Sequence, residues 1–362
     1  MPKAATTLAA CLAMALATPA QAEEWSLVIH GGAGTIQRDA MTPEKDAEIR
    51  AALDAALEAG SAVLREGGSS LDAVTAAINI LEDDPNFNAG RGAVFTWEET
   101  NSLDASIMRG DTLQAGAVAG ASTTRYPIDL ARKVMEESPH VLLSGEGADQ
   151  FAREQGLEQV DPSFFFTQRR YDALVRFKAR AMQEEETSQL DVDYKYGTVG
   201  AVAMDQSGVI SAGTSTGGMT GKRWGRIGDS PIIGAGTYAN GRCGVSATGT
   251  GEKFIQLAVA YRICFLSNQM PPLISRNALP DTPQREEILE YEAEQRARFM
   301  KGRTQKIADS AIEAVGDLGG SGGVIFLAPD GTPGWSFDTP GMYRGSATSE
   351  GDKVVAIYGD EE

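Results

Sequence analysis

Histidine is nearly missing from this sequence, with His30 and His140 the only two in 362 residues. A Ser/His/Asp triad therefore has almost nothing to draw on. Neither Cys-x-x-Cys nor His-Glu-x-x-His spacing occurs to hold a metal. Cysteine is scarce as well, with three in the chain. Lys and Arg number 32 against 50 Asp and Glu, a formal net charge of −18. Such a chain repels a phosphate backbone, which argues against nucleic acid as a partner. No apolar run is long enough to span a bilayer.

What is present begins with an export pattern. Lys3 precedes an uncharged Ala- and Leu-rich run from Ala4 to Ala17, then Ala20-Gln21-Ala22 and Glu23-Glu24. Residues 1–22 read as a signal peptide, removed to leave a periplasmic or secreted protein with no membrane attachment after processing. Leu8-Ala9-Ala10-Cys11 resembles an acylation box but stands too early in the apolar run. The roughly 340 residues that remain suffice for one large or two modest domains. Cys243 and Cys264 read as small buried apolar groups, with a disulfide as the alternative that an oxidising compartment allows.

Along the chain, Trp25 to His30 reads as a strand ending in a tight turn, Gly31-Gly32-Ala33-Gly34. Ile49, Leu53, Ala56, Leu57 and Leu64 recur at helical spacing between Thr42-Pro43 and Gly67-Gly68; a second helix starts at Ser69-Ser70 with Asp72 placed for a capping box. Strands are expected at 93–96, 105–108 and 115–123, and a helix from Pro127 to Met135. From Arg180 the pattern dissolves into a polar, acidic stretch, a linker over about 180–197. Beyond it come a hairpin around Asp205-Gln206-Ser207-Gly208 and strands at 232–235 and 244–247. Helices at 252–266 and 304–315 follow, then strands at 322–327, 335–338 and 354–358. Strand-rich and helix-rich blocks alternate in both halves, which suggests sheets covered by helices.

With so little histidine, a nucleophilic hydroxyl needs another general base. A terminal amine is one, since an α-amino group has a pKa of roughly 7.7 to 8. A threonine supplies both hydroxyl and amine only when the chain is cut immediately before it. Gly197-Thr198 offers that cut: the polar linker ends in glycine, and Thr198 opens an apolar strand.

The neighbours carry more weight than that dipeptide. Gly197-Thr198-Val199-Gly200-Ala201-Val202-Ala203, Thr214-Ser215-Thr216-Gly217-Gly218-Met219, Gly225-Arg226-Ile227-Gly228-Asp229-Ser230-Pro231, Gly234-Ala235-Gly236-Thr237-Tyr238-Ala239 and Ala247-Thr248-Gly249-Thr250-Gly251-Glu252 stand in order. Together they resemble the plant-type asparaginase and isoaspartyl peptidase family of N-terminal nucleophile hydrolases. The likeness extends to Val28 to Gly34, Phe87 to Gly90, Leu143 to Ala148, Gly319 to Gly323 and Gly341 to Gly345, most of the chain.

The resemblance implies an α+β fold, a four-layer αββα sandwich, matured into an α chain (23–197) and a β chain (198–362) that form one domain. It implies autocleavage between Gly197 and Thr198, with Thr198 the nucleophile, its freed amine the base and Thr216 beside that amine. Arg226 and Asp229 would grip a substrate's α-carboxylate and α-ammonium, a pairing that suits a guanidinium fork and a carboxylate. Thr248 and Gly249 would form the oxyanion hole, Gly251 would close the pocket, and Asn88 would support the oxyanion or the nucleophile loop. The reaction would be hydrolysis of L-asparagine and β-aspartyl dipeptides through an acyl-enzyme. No cofactor takes part in such catalysis.

A structural sodium is implied on main-chain carbonyls of the 81–91 loop, at Leu81, Glu82, Asp84, Phe87, Ala89 and Arg91, and a homodimer of αβ units is implied as the assembly. A phosphate-loop reading of Gly249 to Lys253 fails, because Gly-x-x-x-x-Gly-Lys-Ser/Thr is absent. Two alternatives stay open: a hydrolase of glycosylated asparagine, and a non-catalytic periplasmic protein that binds amino acids. The stretch 268–305 is longer than usual for the family and reads as a surface helical excursion, and the connection around Cys243 is short.

Overall fold

The computed structural model describes residues 24–183, 197–269, 282, 284–291 and 302–361. The expected signal, most of the expected linker and much of the 268–305 excursion lie outside them. The strands are β1 (Ser26–Gly34), β2 (Leu103–Arg109), β3 (Ala115–Ala121), β4 (Leu142–Ser144), β5 (Val199–Met204), β6 (Ile210–Thr216), β7 (Thr237–Asn240), β8 (Cys243–Gly249), β9 (Gly322–Leu327), β10 (Pro333–Phe337), β11 (Gly341–Thr348) and β12 (Lys353–Tyr358). The helices are α1 (Pro43–Arg65), α2 (Ser70–Asp83), α3 (Pro127–Glu137), α4 (Gly145–Glu154), α5 (Gln168–Gln183), α6 (Gly251–Leu257), α7 (Val259–Ser267), α8 (284–291) and α9 (Arg303–Asp317).

Eight strands form one sheet in the order β12-β11-β1-β5-β6-β2-β3-β4, and four form a second in the order β10-β9-β8-β7. Alternation along each strand decides what its faces cover. In β1, Leu27 and Ile29 enter the core beneath α1 to α4, while Val28 enters a different core that also holds Ile325 and Leu327 of β9. A third core joins β8 and β9 to α7 and α9 through Val245, Phe254, Ile263, Ile312 and Val324. Three apolar spaces separate four layers, so the fold is the αββα sandwich. The helices start where the sequence stops them from starting elsewhere. Thr42 caps α1 by accepting from the Lys45 N–H at 3.2 Å, and Ser69 caps α2 by accepting from the Asp72 N–H at 3.2 Å, each cap being worth about 1 kcal/mol.

Six local expectations change. Residues 93–96 form no strand, since Phe95 and Thr96 make only isolated bridges to Asn101 and Lys222. The strand expected to stop at His30 runs through the glycines to Gly34, its register on β11 shifting between His30 and Gly32, so a bulge stands where a turn was expected. Residues 232–235 are not a strand: the Asp229 carbonyl accepts from the Ile232 and Gly236 N–H groups and closes a turn. The helix expected over 252–266 breaks at Ala258, which takes a left-handed conformation and divides α6 from α7. The linker expected from Arg180 begins as helix, because Arg170, Leu174 and Phe177 bury one face of α5. Finally, Cys243 on β8 and Cys264 on α7 are joined in a disulfide, with Cα atoms 5.4 Å apart inside the core of that half. The apolar setting was anticipated; the covalent bond joins the strand to the helix that covers it.

Candidate active site

Both sheets contribute to one pocket. Val199 pairs with Ser215 in the β5–β6 ladder, which sets Thr198, just ahead of β5, beside Thr216 at the end of β6. The two hydroxyl oxygens are 3.0 Å apart, and Thr216 Oγ1 also accepts the Gly218 N–H at 3.0 Å. Thr248 and Gly249 finish β8 on the opposite sheet. The Ala33 N–H reaches Thr248 Oγ1 at 3.4 Å, a long contact that leaves the hydroxyl hydrogen free to point elsewhere. Arg226 and Asp229 come from the loop between β6 and β7. The pocket is lined by these six residues together with Ala33, Asn88, Gly197, Gly218, Met219, Gly228 and Ser230. With the chain uncut its free volume is about 40 Å³, room for about three waters and not for an amino acid.

Gly251 falls just outside this lining. It opens α6, where an added Cβ would press on Asp229 Oδ1 and the Arg226 guanidinium, so it makes room for that pair and does not itself wall the pocket.

Asn88 holds the cut-site region from three sides. Its N–H donates to the Gly197 carbonyl at 2.9 Å, its carbonyl accepts from the Gly217 N–H at 2.9 Å, and its Nδ2 donates to the Gly218 carbonyl at 2.6 Å. The loop carrying Arg226 is anchored by Lys222, which is buried, donates to the Ser102 carbonyl at 2.9 Å and pairs with Asp104 at 3.6 Å. Burial lowers the Lys222 pKa, and Asp104 opposes that shift.

The two charged residues of the pocket differ. Asp229 is buried, its Oδ2 has no hydrogen-bond partner, and desolvation pushes its pKa up to about 7 against weaker opposition from its own backbone and from Arg226. A buried carboxylate oxygen without a donor is a place for an ammonium group. Arg226 is already engaged: Nε donates to Glu252 Oε1 at 2.9 Å and Nη2 to Oε2 at 3.0 Å. Glu252 and Ala33 had not been singled out in the sequence. An acidic side chain directly after Gly251, at the start of a helix, was the available signal for Glu252.

The 81–91 loop offers backbone oxygens, the donors that a hard cation takes. Leu81 and Glu82 lie in the last turn of α2, where helix carbonyls lack intrahelical partners, while Arg169 and Arg170 donate to the Pro85, Asn86 and Gly92 carbonyls beside them. Glycines at 90 and 92 let the chain pass close to the Glu82, Pro85 and Phe87 carbonyls. Among the described residues no cluster of three or more His, Cys, Asp or Glu could hold a metal, so an ion here would rest on main-chain oxygens.

Comparison with known proteins agrees with this geometry. The family described as Asparaginase matches residues 23–276. An isoaspartyl peptidase of Escherichia coli K12 is 42% identical over 335 residues, covering 92% of this chain and 95% of that protein. A plant-type L-asparaginase of Pyrococcus abyssi is 47% identical over 243 residues, 65% of this chain and 77% of that protein. A probable isoaspartyl peptidase/L-asparaginase of Arabidopsis thaliana is 36% identical over 92% of this chain and 99% of its own length. With Thr198 ahead of β5 facing Thr216 at the end of β6, a buried Asp229 and an αββα frame, the chain belongs to the asparaginase family.

Proposed function

We propose that the chain cuts itself before Thr198 and then hydrolyses the β-amide of L-asparagine and of β-aspartyl dipeptides. The observation that carries this is the 3.0 Å approach of the Thr198 and Thr216 hydroxyls inside a pocket that also holds Arg226 and Asp229. In the cut, Thr198 Oγ1 attacks the Gly197 carbonyl carbon, whose oxygen already accepts the Asn88 N–H. The peptide nitrogen leaves as the new Thr198 amine, taking up the hydroxyl proton, and water hydrolyses the ester to free the Gly197 carboxyl.

In turnover the substrate's α-ammonium meets the unpartnered Asp229 oxygen and its α-carboxylate takes the Arg226 fork, displacing Glu252. Thr198 Oγ1 adds to the side-chain amide carbon, and its proton passes to the Thr198 amine. The Thr248 hydroxyl and the Gly249 N–H stabilise the oxyanion, a donor of this kind being worth about 3 kcal/mol of barrier. The amine protonates the leaving ammonia or amino acid, and water then releases aspartate. Both substrates share the aspartyl acyl-enzyme and differ only in what leaves. Two relatives that span nearly the whole chain are named for isoaspartyl peptidase activity, which favours this reading over an amino-acid-binding protein or a hydrolase of glycosylated asparagine.

Three further features belong to the same reading. An export signal at 1–22 agrees with the Cys243–Cys264 disulfide, since such bonds persist in oxidising compartments. Carbonyls of Leu81, Glu82, Asp84, Phe87, Ala89 and Arg91 would hold a sodium ion that steadies the loop carrying Asn88. The working unit would be a homodimer of αβ halves, an expectation that rests on the family resemblance. The test is the mass of purified protein together with turnover of asparagine and a β-aspartyl dipeptide. Two fragments meeting at Gly197 and Thr198 are expected, with Thr198→Ala uncut and inactive. Full activity in uncut material overturns the proposal.

A further inference from the structure

The groups assigned to catalysis stand on two different sheets. Thr198 directly precedes β5 and Thr216 ends β6 on the large sheet; Thr248 and Gly249 belong to β8 on the small one. A slip of one sheet over the other by an ångström would separate attacker from oxyanion donors, and catalytic geometry tolerates less than that. Apolar packing between the sheets is non-directional and sets no such register by itself.

One strand step beneath the site, a polar layer crosses the gap. Thr214 lies two residues before Thr216, Ser246 two before Thr248, and Ser230 directly after Asp229; His30 pairs in register with Gly200, two residues after Thr198. His30 Nε2 is 2.9 Å from Ser246 Oγ, which is 2.7 Å from Thr214 Oγ1. Thr214 Oγ1 is 2.5 Å from Thr237 Oγ1, and Thr237 is 2.8 Å from Ser106 Oγ, which donates to the Ser230 carbonyl at 2.6 Å. All five side chains are fully buried. Three of them come from the large sheet (His30, Ser106, Thr214) and two from the small one (Thr237, Ser246), and nearly every step of the chain passes between sheets. Below this layer the inter-sheet core is apolar, with Val28, Val202, Ala212 and Ile325. Gly200 leaves the space for it, because a Cβ there would overlap Ser246 Oγ and His30 Nε2.

The hydrogen bonds run in one direction from Ser106 as far as Thr214. Ser106 shares its hydrogen between the Ser230 carbonyl and Thr237, Thr237 donates to Thr214, Thr214 reaches the Gly236 carbonyl at 3.2 Å, and Thr214 and Ser246 share a bond that either hydroxyl can donate. Ser246 Oγ and Nε2 share one hydrogen bond whose direction follows the tautomer of the neutral His30 ring. Burial pushes the His30 pKa down to about 3, against an opposing pull from the Thr198 main chain beside the ring, so the ring stays neutral.

We propose that His30, Ser246, Thr214, Thr237 and Ser106 form a hydrogen-bonded positioning layer that fixes the register of the two sheets and thereby holds Thr198 against Thr248 and Gly249. The proposal rests on Thr198 being the nucleophile. None of the five touches substrate; they act through the residues one step above them.

The test is Thr214→Val, which keeps the shape of the side chain and deletes its hydroxyl, beside Thr214→Ser, which keeps the hydroxyl. For each, the mass of the cut chain is checked, a melting curve is recorded and asparagine turnover is measured at steady state. Thr214→Val is expected to lose about tenfold in kcat with KM nearly unchanged, and Thr214→Ser to recover most of it. Ring ¹⁵N shifts of His30, distinguished from His140 by a His140→Gln protein, should show a single neutral tautomer from about pH 5 to about pH 8 and a mixture of tautomers in Thr214→Val. Should Thr214→Val be insoluble, Ser246→Ala breaks the same layer beside His30 and is read in the same way. Wild-type kcat in the hydroxyl-deleted protein, or equal losses in the valine and serine proteins, overturns the positioning layer. Thr198→Ala is assayed alongside: activity there removes the nucleophile assignment itself, whereas an inactive Thr198→Ala with a fully active Thr214→Val removes only the layer.

Discussion

Arg226 and Glu252 form a two-pronged ion pair beside the pocket, at 2.9 and 3.0 Å, so the fork that would receive a substrate carboxylate already holds one. Binding must exchange one carboxylate for another. Glu252 is about half exposed, 49% for its side chain, and solvent screening limits such a pair to about 1 kcal/mol. Glu252→Gln is therefore expected to lower the KM for asparagine about fivefold and to tighten inhibition by the product aspartate in parallel. Steady-state kinetics decides: a KM that rises means Glu252 aims Arg226 and does not compete with substrate.

Asp229 gives a pH dependence with a definite sign. Its carboxyl ionises near 3.8 in an unfolded chain and at about 7 when buried here. Between those values the folded chain keeps a proton that the unfolded chain has lost. This group's contribution to stability is thus complete below about pH 4 and lost as pH climbs through about 7. Substrate binding runs the other way, because only the ionised carboxylate grips an ammonium. The KM for asparagine should fall as pH rises from about 6 to about 8. Asp229→Asn should bind poorly and lack that step, yet resist urea better than wild type at the alkaline end. A flat KM profile in the wild-type protein contradicts the assignment.

The disulfide gives a stability prediction that leaves the chemistry alone. Cys243 and Cys264 are 21 residues apart in sequence and join β8 to α7, and closing a loop of that size is worth about 3 kcal/mol in the chain-entropy account. Cys264→Ser, or reduction of the wild-type protein, should lower the melting temperature by several degrees while kcat in the cold stays near wild type. An unchanged melting curve would mean that the core around Val245 and Ile263 carries the link by itself.

How far the fold could be read from residues follows from the range of each interaction. Helices α1 and α2 were legible because caps and apolar spacing are local: Thr42, Ser69, Leu53 and Leu57 announce them. The αββα layering and the pairing of Thr198 with Arg226 and Asp229 came from ordered motifs that resemble a family. What escaped either leaves no mark in the local composition or depends on distant contacts. Residues 232–235 are apolar and pass for a strand, but Asp229 folds them into a turn. Ala258 carries no mark of the left-handed break between α6 and α7. Strands β7 and β11 are short or glycine-bearing, and their partners lie elsewhere in the chain. The His30–Ser246 contact spans 216 positions, so the positioning layer has no sequence signature beyond scattered Ser and Thr on unrelated strands.

Self-cleavage should depend on Gly32 more than on most glycines of the chain. Gly32 sits at the β1 bulge with φ of +110°, and Gly197 lies against it with φ of +98°. A Cβ on residue 32 would overlap Gly197 Cα, N and C, pushing the carbonyl to be attacked away from the Asn88 N–H and from Thr198. Gly32→Ala is expected to accumulate as uncut chain, seen as a single full-length band where wild type gives two. Strain alone would also follow from placing a side chain at positive φ, at about 1–2 kcal/mol, so a control is needed. Gly351 supplies it: φ is +95° and nothing lies within 4 Å of where its Cβ would stand. Gly351→Ala carries similar backbone strain without the collision and should mature at the wild-type rate. If both variants are cut equally well, the approach of Gly32 to Gly197 plays no part in cleavage; if both stay uncut, general destabilisation accounts for the effect. Loss of cutting in Gly32→Ala alone assigns it to that contact.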